Sequence, residues 1–134
     1  MKIIGSTINK VSAERKKTPE QGMTVKSNID IKELDSEKLN FTSQPGLKLD
    51  FVFTVMYEPD VANVEIKGSV LILDDTDESK TVLKDWKKKK FENPIKIPLF
   101  NFIMDKCNLR SLELESELGL PLHISFPRLK AETK

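Results

Sequence analysis

Scarcity is the first property of this sequence. Its 134 residues hold one Cys, one His, one Trp, one Tyr and five Gly. A lone Cys107 cannot close an internal disulfide, and one Cys with one His cannot complete the four-ligand set of a structural zinc site. The glycines stand at 5, 22, 46, 68 and 119, so there is no glycine-rich loop to cradle a phosphate. No apolar run approaches the ~20 residues that cross a bilayer, and the opening MKIIGSTINK lacks the apolar core of a signal peptide. The expectation is therefore no metal, no cofactor, no membrane insertion and a reducing, cytosolic compartment.

What is present fits one soluble domain over residues 1–134. Hydrophobic residues make up 38% and charged residues 32% of the chain, which is the balance of a globular protein. The formal net charge of +1 conceals a segregation: residues 1–26 carry +4, 27–79 carry −8, 80–106 carry +5, and 107–134 carry zero. A bulk electrostatic partner is not implied, but local ones are.

Alternation is the clearest pattern. From 47 to 57 every odd position is apolar (Leu47, Leu49, Phe51, Phe53, Val55, Tyr57), while the even ones include Lys48, Asp50 and Thr54. That predicts a half-buried strand over 47–57. After the turn signal Glu58-Pro59-Asp60 the apolar set moves to Ala62, Val64, Ile66, Val70 and Ile72, so 62–73 pairs with it as an antiparallel hairpin. Weaker alternation predicts strands over 23–34 and over 2–12, the latter suited to a sheet edge. Farther on the period changes. Val82, Leu83 and Trp86, behind Thr76 or Asp77 and ahead of four lysines, predict a short helix over 77–90. From Pro98, the residues Phe100, Ile103, Cys107, Ser111, Leu114 and Leu118 recur at three and four and predict a long helix over 98–118, stopped by Gly119-Leu120-Pro121 and followed by an extended tail over 120–134.

Chemistry-bearing residues are bland in this setting. His123, in Leu-His-Ile-Ser, has no acid or thiol at triad spacing nearby and reads as structural. Cys107 lies on the apolar stripe, where a thiol behaves as a small hydrophobe. Trp86-Lys87-Lys88-Lys89-Lys90-Phe91 has the make-up of a base-stacking patch, but a helix end accounts for its lysines, so no nucleic acid is expected. The acids Asp74, Asp75, Asp77 and Glu78 complement the start of the same helix. An enzyme is the least expected class. Leu99, Phe102, Leu109 and Leu112 fall off the helix stripe and predict a second apolar side, the candidate interface of a homo-oligomer (dimer or tetramer).

At this point the order of elements resembles the SecB-like family, the protein-export chaperone and its archaeal or toxin–antitoxin-associated relatives. The resemblance rests on the strand pair Leu47 to Leu73, with Gly68 before Val70-Leu71-Ile72-Leu73, and on Asn93-Pro94-Ile95-Lys96-Ile97-Pro98 leading into the long helix. It rests also on Gly119-Leu120-Pro121 with Pro127 six residues later. Leu120 stands where the family has an aromatic, the long helix is about two turns longer, and Arg128-Leu129-Lys130 lacks the family's acidic tail.

The resemblance implies an α+β fold, a four-stranded antiparallel sheet packed on one face by a long C-terminal helix plus a short helix. It implies an ATP-independent, chaperone-like protein binding unfolded or extended hydrophobic polypeptide, with links to protein export or to a secretion or toxin partner. Aromatic and aliphatic residues suited to hold a client are Leu39, Phe41, Trp86, Phe91 and Phe126. Two other classes are compatible with the residues: a carrier of an apolar small molecule or lipid in a sheet–helix cavity, and an oligomeric adaptor docking a partner through the acidic turn 74–78.

Overall fold

Side-chain alternation places two of the strands at the middle of the sheet. In the computed structural model, which describes residues 2–39, 45–74, 79–87 and 96–127, the chain runs β1 (Lys2–Arg15), β2 (Thr24–Lys38), β3 (Pro45–Glu58), β4 (Ala62–Leu73), α1 (Ser79–Lys87) and α2 (Lys96–Glu117). The four strands form one antiparallel sheet in the order β1-β4-β3-β2. Leu47, Leu49, Phe51, Phe53, Val55 and Tyr57 of β3 register with Ile72, Val70, Gly68, Ile66, Val64 and Ala62 of β4, and this shared face is buried under the helices. The α+β architecture of the sequence reading is the one observed.

The edge strands run past their expected ends, to Arg15 and to Lys38. Their alternation is impure because each is bulged. Register shifts fall between Ile3 and Gly5 and between Ile8 and Lys10 in β1, and between Ile31 and Glu33 in β2. A bulge inserts one extra residue and moves the following side chains to the other face, so a strict period-two template stops early. The chain crosses from one edge to the other around the β3–β4 turn. Lys16 and Lys17 donate their backbone N–H to the Val61 carbonyl at 2.7 and 3.2 Å, and the Lys16 Nζ pairs with Asp60 at 3.0 Å.

Gly68 is required by close approach rather than by a turn. A Cβ there would lie 2.5 Å from the Thr7 carbonyl oxygen and 2.7 Å from the Phe51 ring, both closer than van der Waals contact. The Phe51 ring therefore occupies the space that β4 leaves empty.

The long helix differs from its expected form. Its buried row is Leu99, Ile103, Cys107, Ser111 and Glu115, a strict spacing of four, and not the mixed three-and-four stripe through Phe100. Such a row drifts by about 40° at each step around the helix, which suits a helix lying across a twisted sheet. The four residues expected to form a self-association face are dispersed as a result. Leu99 is fully buried in the core, Phe102 is half-buried against it, Leu112 follows Phe100, Met104 and Asn108 at intervals of four, and Leu109 is 66% exposed.

The short helix α1 sets Val82 into the core, with Leu83 and Trp86 packed against it. The predicted helix ends at 77–78 and 88–90 lie outside the described residues.

Candidate functional site

The site is assembled from the inward face of an edge strand and one flank of α2. Ser27, Ile29 and Ile31 of β2 register with Val55, Phe53 and Phe51, so they share the helix-covered face. The strand extends beyond what the helices cover. A cleft of about 380 Å³ opens there, floored by Ser27, Asn28, Ile29 and Phe53, walled by Phe100, Met104 and Asn108 of α2, and closed by His123 and Ile124. A second cleft of about 580 Å³ continues along the same strand at Ile31, Lys32, Glu33, Leu34 and Asp35, under Trp86 and Lys87 of α1. The stretch from Ser27 to Asp35 spans about 26 Å of extended backbone.

The far wall of the first cleft is held by a polar cluster that sequence reasoning missed. After Glu117 the helix ends in a reversed turn: the Leu120 N–H donates to the Glu115 carbonyl at 2.9 Å and the Gly119 N–H to Ser116 at 3.2 Å. Gly119 has φ +66, the left-handed conformation that glycine adopts at least cost. Arg15 of β1 donates to the Leu118 carbonyl at 3.0 Å, and the Tyr57 hydroxyl donates to the Pro121 carbonyl at 2.5 Å. This returns His123 to the helix it has just left.

There the Glu115 carboxylate, fully buried, accepts the Ser111 hydroxyl and the His123 backbone N–H (2.8 Å), and its Oε2 lies 2.6 Å from His123 Nδ1. His123 Nε2 stands 2.9 Å from Asn108 Oδ1, and the Phe53 ring meets the imidazole edge-on with centroids 6.2 Å apart. Burial alone pushes the Glu115 carboxyl up, but the hydrogen bonds from His123 and Ser111 and the histidine's charge outweigh it, and the net shift is downward. Tyr57 is raised well above the ordinary phenol range, first by burial and then by the Glu115 charge beside it.

Among the described residues this cluster does not build a nucleophile. Ser111 is sealed from solvent and gives its proton to Glu115 rather than to His123. Cys107 is buried, and desolvation pushes its thiol up to about 11, away from the reactive thiolate.

The three described client residues of the sequence prediction do not converge. Leu39 is 7% exposed and lies against Gly46, Trp86 roofs the second cleft, and Phe126 is 56% exposed in the segment after the helix. Phe41 and Phe91 lie outside the described residues. Of the acidic turn 74–78 only Asp74 is described, and it is 2% exposed, a buried side chain rather than a docking surface. The cleft residues Ile29, Phe53, Phe100 and Met104 carried no local signal. Glu115 and Ser111 did carry one: two polar residues on a buried helix row need partners.

The architecture is that of a SecB-like fold. The chain is similar in structure to the Mycobacterium tuberculosis Rv1957 SecB-like chaperone, solved in complex with a ChAD peptide from the Rv1956 HigA1 antitoxin. The TM-score is 0.55 at 14% identity, over 98% of this chain and 92% of that one. No protein-family model and no curated protein matches the sequence.

Proposed function

We propose that the protein is an ATP-independent chaperone that holds an extended, apolar stretch of unfolded polypeptide along β2. The observation that carries this reading is the alignment of two clefts on consecutive inward positions of one edge strand, with Ile29, Phe53, Phe100 and Met104 in the first and Ile31, Leu34 and Trp86 in the second. An extended chain presents side chains at the same two-residue repeat as the strand below it. Binding the unfolded client lowers its free concentration by mass action and needs no nucleotide. The fold likeness to a chaperone solved with an antitoxin peptide supports the same class of ligand.

The sheet's outer surface favours a toxin–antitoxin or other client role over export. Three of its acids are paired with lysines, Lys26 with Glu58 at 3.2 Å, Lys32 with Asp30 at 3.8 Å and Lys67 with Glu65 at 3.4 Å, so cations interrupt the acidic surface on which a motor would dock. In this reading the protein works in the cytoplasm as a homo-oligomer, a second copy covering the outward side of α2 around Leu109. The lipid-carrier class has less support, because the space between sheet and helix is filled by Phe51, Phe53, Leu99 and Ile103, each no more than 3% exposed.

The test is suppression of aggregation of a reductively denatured client by equimolar protein without nucleotide. Met104→Glu, which sets a charge in the first cleft, should abolish protection while leaving the circular dichroism spectrum and the melting temperature within a few degrees of the parent. Full protection by Met104→Glu sinks this cleft as the binding site. No protection by the parent sinks the chaperone reading, and lipid in native mass spectra would put the carrier in its place.

A further inference from the structure

The chain has a single histidine, and it is spent at a joint. His123 is almost sealed, with 4% of its side chain exposed, yet it lines the cleft together with Asn108 and Ile124. Its two ring nitrogens face two acceptors. Nδ1 lies 2.6 Å from one Glu115 oxygen and 2.9 Å from the other, and Nε2 lies 2.9 Å from Asn108 Oδ1. Only the imidazolium has an N–H for each.

We propose that His123 is a proton-operated clasp on the cleft: protonated, it ties the segment 120–124 to α2 as a fixed wall, and on losing its proton it lets that wall relax, so that peptide affinity falls as pH rises. The inference rests on the peptide-binding reading of the cleft and names its regulation.

The loss of one proton has a defined consequence. The neutral ring keeps its N–H at Nδ1, where the Glu115 carboxylate is the stronger acceptor. The Nε2 lone pair then opposes the Asn108 carbonyl at 2.9 Å, a repulsive contact in a buried place. Two adjustments relieve it. The ring and the segment behind it move away from α2, or the Asn108 amide turns over and offers its NH₂ to Nε2, exposing its carbonyl to the cleft. Either one changes the wall that a client touches.

The other groups around the ring do not change charge near neutrality. From α2 it faces Glu115, whose carboxyl titrates below its ordinary range, and the uncharged Asn108. From β3 it faces the Phe53 ring, and Tyr57, beside Glu115, ionises far above neutrality. From β2 the cleft presents Ser27 and Asn28, which do not titrate. From β1 Arg15, at the Leu118 carbonyl, is permanently charged.

The experiment uses the full chain and a fluorescein-labelled peptide of alternating leucine, phenylalanine and serine. Fluorescence anisotropy gives its affinity from about pH 5.5 to about pH 8, the ordinary histidine window. In parallel, nuclear magnetic resonance follows the His123 ring, which is unambiguous in a chain with one histidine, and the backbone amides of 120–124. The expected result is at least about a fivefold loss of affinity across the window, the low end of ordinary coupling between sites, with a midpoint that matches the ring titration. His123→Gln should bind with an affinity that no longer changes with pH. Asn108→Asp, which gives Nε2 a carboxylate partner, should move the midpoint upward by about one pH unit.

A ring that titrates while affinity stays flat overturns the clasp and leaves the chaperone reading intact, as does pH dependence that persists in His123→Gln. A ring that does not titrate in the window overturns it too. If the peptide binds at no pH, the chaperone reading fails on this probe. The affinity claim falls with it, and the wall's release is decided without ligand: amide exchange protection at 120–124 that is lost as the ring deprotonates sustains it, and unchanged protection overturns it. If His123→Gln does not fold, the ring and amide titrations of the parent carry the decision alone.

Discussion

The two halves of α2 bury side chains of opposite kinds on one row. Leu99, Ile103 and Cys107 meet the sheet with apolar surface only, whereas Ser111 and Glu115, one and two steps farther along, meet it with a hydroxyl and a carboxylate. The apolar half is held by area and packing, which any side chain of similar shape supplies in part. The polar half is held by directed bonds that accept one set of partners. Hydrophobic burial lays the helix on the sheet, and the Glu115 cluster decides where the chain goes when the helix ends.

The largest expected effect breaks the apolar half. Ile103 is 1% exposed, and Ile103→Ala should lower the unfolding free energy by about 2–5 kcal/mol in urea titrations. A loss below about 1 kcal/mol would mean that this half collapses around the gap and is not tightly packed.

The polar half should yield less. Glu115→Gln keeps the shape but points an amide N–H₂ at groups that are themselves donors, for a loss of about 1–3 kcal/mol near neutral pH. The same substitution should alter the acid limb. Because the folded carboxyl titrates below its ordinary value, its stabilisation is complete above about pH 4.3 and disappears as pH falls through the lower folded value. The stability gap between parent and variant should therefore narrow in acid. A gap of constant size down to about pH 2 would remove the ionised carboxylate from the account.

The smallest effect tests the outward side, which belongs to neither half. Leu109→Ser should change monomer stability by no more than about 0.5 kcal/mol. Its readout is mass by light scattering, since a second copy seated on α2 would be weakened and the apparent mass would fall. A monomeric parent would leave that side without a partner.

Much of the sheet was legible in the sequence because its central strands are one-sided. Leu47 to Tyr57 and Ala62 to Ile72 keep one apolar face, broken only at Gly68, and the observed register pairs them one for one. The edges were legible through their bulges but not to their ends, because residues inserted at Ile8–Lys10 and Ile31–Glu33 weaken the alternation that would carry the pattern on to Arg15 and Lys38. On α2 the predicted stripe faced the core through Ile103, Cys107, Ser111, Leu114 and Leu118, and it erred in placing Phe100 rather than Leu99 at its start. A helix crossing a twisted sheet buries a row of fours, and Leu99 moved from the supposed outer face into the core.

The site was less legible. Ser27, Phe53 and Met104 come together only through the sheet order, which no local pattern encodes. The partnership of Glu115 with His123 depends on a reversal at Gly119, and the Gly-Leu-Pro stop in the sequence signalled an ending without signalling a return.

The bulged edge strands have a colloidal consequence. A protein that offers an open apolar trough beside an unpaired strand invites copies of itself to add on, one strand after another, into a growing fibre. The register shifts in β1 and β2 twist those edges so that a straight incoming strand cannot pair along their whole length, and Lys10, Lys26 and Lys32 set charge on them. The trough can stay open at high protein concentration because the strand beside it is a poor template for polymerisation.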